Sequence, residues 1–172
     1  MISVDISKCT GCKRCEVACA FSRTGRVNNR LARIKVLNLY DTGVDAPVVC
    51  SQCQERYCNC CPENAIAIGP LGQIVVSPTL CTLCSACETV CPIGAIEIFN
   101  GFVYVCDLCG GRPRCVDACT EQAITYHTDS AKRVSLAALR EPTRKMNPSQ
   151  KRHYYLKNQD IETRKNWGKA NA

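Results

Sequence analysis

Histidine is almost missing from this chain of 172 residues, which holds two, His127 and His153. Neither falls among the cysteines. That excludes Rieske-type ligation, in which two histidines replace two thiolates on one iron. Both read as ordinary surface or packing residues. No apolar stretch approaches the roughly 20 residues that cross a bilayer. The start, Met1-Ile2-Ser3-Val4-Asp5-Ile6, has no basic region followed by an apolar run and no twin-arginine pair. The expectation is a cytoplasmic location and no membrane span. A nucleophile–base constellation is also missing. Gly110-Gly111 interrupts a cysteine run and does not follow a strand as a dinucleotide fingerprint would. With no such constellation and little room for a substrate pocket, the chain is expected not to be an enzyme. Excess charge is missing from most of the chain as well: residues 1–128 hold 11 Lys/Arg and 11 Asp/Glu. The net +7 belongs to residues 129–172, with 11 basic and 4 acidic residues.

What is there is cysteine, 17 of 172 residues. The count is odd and the cysteines fall in tight groups, so a disulfide framework fits poorly and thiolates held by metal in a reducing compartment fit better. The third group is Cys81-Thr82-Leu83-Cys84-Ser85-Ala86-Cys87-Glu88-Thr89-Val90-Cys91-Pro92. This is the bacterial ferredoxin run, Cys-x2-Cys-x2-Cys-x3-Cys-Pro, whose fourth cysteine ligates the other cluster of a pair. The first group, Cys9, Cys12, Cys15 and Cys19, repeats the spacing with Ala20 in place of proline. The second group is contracted: Cys50, Cys53 and Cys58, then Cys60, Cys61 and Pro62. Pro62 marks Cys61 as its closing ligand, and Cys60 is a spare or an alternative to Cys58. In the fourth, Cys106, Cys109, Cys115 and Cys119 are spaced x2, x5, x3, with Thr120 where proline is usual.

Sixteen cysteines thus make four sets of four. Zinc ribbons use two pairs separated by a long loop and not three cysteines within seven residues. The Cys-x3-Cys-x2-Cys run of radical chemistry from S-adenosylmethionine is not present. An oxidised [4Fe-4S] core with four thiolates carries about −2, so four of them would make the body acidic and the basic tail would nearly neutralise it.

Between the runs the pattern predicts short strands. Val4–Ile6 and Leu31–Val36 alternate apolar and polar residues. Ala65–Ile68 with Gln73–Val76 reads as a hairpin, and so does Ala95–Phe99 with Phe102–Val105, joined by Asn100-Gly101. Ala123–His127 is a further strand. The repeat of cysteine run, short helical turn and hairpin predicts an α+β body in which clusters substitute for apolar volume. From Asp129 cysteine disappears. Asp129 or Ser130 caps an expected helix over Ala131–Leu139 that Pro142 stops. Residues 149–165 are polar, with Tyr154-Tyr155-Leu156 as their apolar knot. Residues 129–172 read as a basic, partly helical extension.

The four runs in this order resemble the four-cluster ferredoxin-like electron-transfer subunits of molybdenum and tungsten oxidoreductases, including the small iron–sulfur subunit of tungsten aldehyde oxidoreductases. Asn29-Arg30-Leu31-Ala32-Arg33-Ile34-Lys35-Val36 and Cys106-Asp107-Leu108-Cys109-Gly110-Gly111-Arg112-Pro113 look especially like that group. The resemblance covers residues 1–128. The contracted second run and the missing prolines at 20 and 120 depart from it. It implies four [4Fe-4S] clusters in two nested modules, an inner one over about 48–100 and an outer one over about 1–47 with 101–128. It implies that Cys50, Cys53 and Cys58 take Cys91, and that Cys81, Cys84 and Cys87 take Cys61. Likewise Cys9, Cys12 and Cys15 take Cys119, and Cys106, Cys109 and Cys115 take Cys19. The implied role is electron relay for a catalytic oxidoreductase subunit. A flavin or NAD subunit and further copies of this chain packed end to end are candidate partners, the basic tail clasping an acidic surface. A freely diffusing polyferredoxin is the alternative. Nucleic-acid binding through the tail is the weaker rival, because its basic residues are interleaved with Asp160 and Glu162. Lys13, Arg14, Arg112 and Arg114 lie inside the cysteine loops, where their charge would favour reduced clusters.

Overall fold

The computed structural model describes residues 1–129 and 133–170, with the backbone alone from 164 onward. Its body is built on four separate two-stranded antiparallel sheets. The first joins the two ends of the body: β1 (Ile2–Val4) pairs with β8 (Ile124–Tyr126), and the Asp5 N–H extends the ladder to the Ala123 carbonyl at 2.8 Å. The strand expected at Val4–Ile6 therefore sits slightly earlier, and Ile6–Lys8 form a single 3₁₀ turn capped by Asp5.

The second sheet, β2 (Ile34–Leu39) with β3 (Val44–Val49), is the longest. Pro47 hides β3 in the sequence, since proline cannot donate to a ladder. Here Pro47 sits opposite Val36, and the Val36 N–H goes to Glu16 instead, 2.6 Å from its Oε1. That ladder position is one where no N–H of the proline is called on. The two predicted hairpins are present as β4 (Ile66–Ile68) with β5 (Ile74–Val76), and β6 (Glu97–Phe99) with β7 (Phe102–Tyr104). The last turns through Asn100 and Gly101 at φ 48° and 75°, the left-handed pair that a type I′ turn requires.

Short helices begin inside three of the cysteine runs: α1 (Arg14–Thr24) in the first, α2 (Ala86–Val90) in the third, α3 (Arg114–Asp117) in the fourth. Two apolar cores result. One gathers Ile2, Ala20, Ile34, Val49 and Leu108 around Cys15, Cys19, Cys106 and Cys115. The other gathers Val48, Ile74, Ile93, Ile96 and Val105 around Cys58, Cys87 and Cys91. Strand β3 is their common wall, with Val49 facing one core and Val48 the other, and Cys50 packs against both.

The C-terminal region differs from its expected form. The proposed cap at Ser130 and helix start at Ala131 lie outside the described residues. The helix α4 runs Ala137–Thr143 and contains Pro142. Residues 133–136 are held out of any helix because run two consumes their backbone groups. The Gln54 N–H donates to the Val134 carbonyl at 3.1 Å, its side chain donates to Arg133, and the Leu136 N–H donates to Glu55. After α4 comes α5 (Pro148–Ala170), a long helix whose Leu156 closes a small third core with Leu39 and Ala46. Among the described residues no helix is long and apolar enough to cross a membrane.

Candidate functional site

Each cysteine run turns on the same backbone device. Two residues after its first cysteine the chain enters the left-handed region: Gly11 at φ 68°, Gln52 at 53°, Leu83 at 57° and Leu108 at 58°. Three of these are not glycine, and each costs about 1 kcal/mol to hold there. Such strain persists where a clamp needs it. In three of the runs the turn brings the N–H of that residue back onto the preceding sulfur. The Gly11, Gln52 and Leu108 amides favour the thiolates of Cys9, Cys50 and Cys106. Concave rows of N–H groups of this kind suit an anionic group.

The exits from the runs also repeat. After Cys61, Cys91 and Cys119 the chain makes one turn, closed by the N–H of the residue three further on. That residue is left-handed in each case: Asn64 at φ 50°, Gly94 at 61°, Gln122 at 52°. A buried alanine follows, Ala65, Ala95 or Ala123, and leads into the next strand. The Ala65 and Ala95 N–H groups donate to Cys61 Sγ and Cys91 Sγ at 3.4 and 3.3 Å.

Two cavities are each lined by four cysteines. Cys9, Cys12, Cys15 and Cys119 line one cavity with Lys13, Val36 and Ile124. Cys61, Cys81, Cys84 and Cys87 line another with Ile66, Val76 and Val103. The remaining cysteines lie close enough to oppose one another's ionisation. Burial raises Cys58 to about 12, and negative charge on Cys91 and Cys53 opposes its ionisation further. Burial also pushes Cys50 well up, with Cys106, Cys91 and Cys58 adding to it. Cys106 is likewise pushed to about 12 by burial, with Cys19 and Cys109 adding, and Cys115 is raised by burial and by Cys106, Cys19 and Cys109. Charge also couples from one group to the next. Cys87 bears on Cys58, Cys106 on Cys50, and Cys15 on Cys115. Cys60 is exposed, yet near enough to Cys87 to raise its pKa, after burial, to about 11.

Thiols this resistant to ionisation need a compensating cation if they are to serve as thiolates. Among the described residues no three or more His, Cys, Asp or Glu side chains converge as they would around one ion; in the two cavities above, four cysteines line one space instead. Four sulfurs, N–H donors to several of them and an apolar wall form a donor set that fits a [4Fe-4S] group.

The sequence reading passes over two residues that hold these loops in place. Glu16 follows Cys15 and takes the Val36 N–H; Glu88 follows Cys87 and takes the Ile98 N–H, also at 2.6 Å. The signal is the shared Cys-Glu-x-x-Cys in runs one and three. Gln52 is a third such residue. It is buried and donates to the Cys106 carbonyl at 3.0 Å, which ties run two to run four. Of the loop cations, Arg14 donates to Thr120 at 3.4 Å and Arg114 pairs with Asp117 at 3.6 Å across an exposed surface.

Comparison with known proteins agrees. The family described as 4Fe-4S binding domain matches residues 1–24 and again 74–97. The polyferredoxin-like subunit of an aliphatic sulfonate oxidoreductase from Pyrococcus furiosus is 39% identical over 124 residues, 70% of this chain and 71% of that protein. A putative electron transport protein of Escherichia coli, YsaA, is 36% identical over 72% of this chain and 86% of its own length. The electron transport protein HydN of the same species is 31% identical over 72% and 85%. Likeness of this degree over most of both lengths shows that the chain belongs to the ferredoxin-type 4Fe-4S electron-transport proteins, the family of these polyferredoxin-like subunits.

Proposed function

We propose that this chain is a non-catalytic relay that carries single electrons to or from the catalytic subunit of an oxidoreductase, with a molybdenum or tungsten enzyme such as an aldehyde oxidoreductase as its partner. The observation that carries the reading is a continuous series of cysteines, from the Cys61, Cys81, Cys84 and Cys87 cavity, through Cys58 and Cys91 in one apolar core and Cys19, Cys106 and Cys115 in the other, to the Cys9, Cys12, Cys15 and Cys119 cavity, with Cys50 packed against both cores. When bound, a [4Fe-4S] group supplies a one-electron couple at each of these places. The chain's own residues bind it, exclude water and set its surroundings. At the two ends Cys12 and Cys84 are exposed, whereas Cys58, Cys106 and Cys115 along the middle are buried. A row that is open at both ends and shielded between them suits transfer between two partners.

The pairing of β1 with β8 and the shared wall β3 support two nested modules, with the boundaries given above and 129–172 as an appendage. In this reading Cys58 and Cys61 ligate and Cys60 stands by. Anaerobic purification, iron counting and identification of bound subunits test the proposal. Expected are about sixteen iron atoms per chain and a stoichiometric catalytic subunit. Zinc in place of iron, or far less iron, overturns the relay. A chain that elutes alone and reduces unrelated acceptors equally well replaces the subunit reading with a free polyferredoxin.

A further inference from the structure

Lysine is almost never fully buried unless it is paired. Lys151 lies on an otherwise polar helix, α5, and is 1% exposed. Its ammonium donates to the Thr89 carbonyl at 2.5 Å and the Glu88 carbonyl at 3.3 Å. These belong to the last turn of α2, just before Cys91, and a cation at a helix C-terminus is favoured there. Arg152, the next residue, donates to the Gly94 carbonyl at 2.8 Å, just after Cys91, and reaches Glu97 at 3.2 Å. Gly94 has no side chain, and any Cβ there would strike the Pro148 carbonyl at the start of α5. The helix therefore grips Cys91 from both sides. The negative groups that face Lys151 are Cys91 and Glu88, and the Glu88 carboxylate already accepts the Ile98 N–H.

We propose that Lys151 is a positioning and charge residue that raises the reduction potential at the Cys50, Cys53, Cys58 and Cys91 site, so that the C-terminal extension tunes the relay. This rests on the relay reading and on Cys91 joining that site. An electron added there increases its negative charge. A fixed cation held in a dry setting favours the more negative state, and solvent screens it little. None of the five cations inside the cysteine loops is enclosed in this way: Lys13 and Arg56 are half-buried, and Arg14, Arg112 and Arg114 are exposed.

The test uses the full, iron-loaded chain. Lys151→Gln keeps a donor without the charge, Lys151→Met removes both, and Lys151→Arg restores the charge. Each variant is followed by iron counting and by a redox titration read by electron paramagnetic resonance. In both neutral variants one couple moves to lower potential, so that its reduced-to-oxidised ratio at fixed poise falls about tenfold. The other three stay put, and Lys151→Arg brings the first one back. Four unmoved couples in an iron-replete neutral variant overturn the proposal. So does an equal shift in Lys151→Arg, which would make the effect one of shape. If Lys151→Met fails to fold, Lys151→Gln decides alone. Failure of both neutral variants to hold iron while Lys151→Arg holds it refutes tuning in favour of a purely structural cation. If Cys91→Ala abolishes a couple other than the one that Lys151 moves, the tuning idea falls and the relay stands. A wild type without four one-electron couples removes the relay itself.

Discussion

Runs one and three have identical cysteine spacing and the same glutamate after the third cysteine, but they leave their last cysteine differently. Cys91 is followed at once by a turn, a left-handed Gly94 and a buried Ala95 whose N–H serves its sulfur. After Cys19 the helix α1 simply continues to Thr24 and ends at Gly25. The N–H that reaches Cys19 Sγ, at 3.2 Å, comes from Arg33, fourteen positions away. The Arg33 side chain bonds Asp107 at 2.6 Å, and Asp107 also takes Arg23 and the Cys109 N–H. One sulfur is served by its own loop, the other by a residue that is anchored to run four. Equal spacing of ligands does not fix how each is supported: support is local where the next strand begins immediately and borrowed where a helix intervenes.

The largest effect that can break this comparison is removal of either sulfur. Cys91→Ala and Cys19→Ala should each cost about four of roughly sixteen iron atoms. In each case the lost signal should belong to the run that receives the sulfur and not to the run that contains it. Iron counting with resonance spectra of both variants checks this. Loss confined to Cys81–Cys87 in the first, or to Cys9–Cys15 in the second, would show that the fourth ligands are not exchanged.

Next in size is Gly94→Ala. Two penalties coincide there, the left-handed backbone at φ 61° and a Cβ driven into the Pro148 carbonyl. The helix α5 cannot yield without releasing Lys151 and Arg152. A loss of about 2–4 kcal/mol in unfolding free energy is expected from denaturant melts of the loaded protein. A loss within the cost of the left-handed turn alone would mean that α5 is loosely docked.

These cases mark what could be read from sequence. The third and first runs, the Asn100-Gly101 hairpin and the exits at Pro62 and Pro92 were legible because spacing, turn residue and strand onset lie within a dozen positions of one another. Strand β3 was not legible, because Pro47 is tolerated only through its register, opposite Val36 at a position where the ladder asks for no N–H from it. The α4 helix starts later than expected because Gln54 and Glu55, some 80 residues upstream, hold the segment before it extended. Leu156 signalled an apolar knot, but nothing local marks Lys151 as buried. Its partners are carbonyls 62 and 63 positions away.

A smaller effect separates the two glutamates. Glu16 is 4% exposed, and Val36, whose N–H it accepts, is buried as well. Burial raises its pKa, and the Val36 N–H opposes that rise. Glu88 and Ile98 are both half-buried. Glu16→Ala orphans a buried donor and should cost about 1–3 kcal/mol, and Glu88→Ala measurably less, because water reaches its partner. Equal losses in parallel melts would show that the two runs are supported alike after all.

The smallest effect should have the opposite sign. Gln122 occupies the place of Gly94 after Cys119, left-handed at φ 52°, and it is exposed. Glycine enters that region without the Cβ penalty but frees the unfolded chain, so the two terms partly cancel. Gln122→Gly should stabilise the loaded protein by about 0.5–1 kcal/mol, with iron content unchanged. Thermal melting in parallel with Gly94→Ala makes the contrast internal to one protein. The same backbone position then tolerates glycine where the turn faces water and demands it where a helix is pressed against the turn. A destabilised Gln122→Gly would mean that the side chain, and not the turn, holds the exit from Cys119.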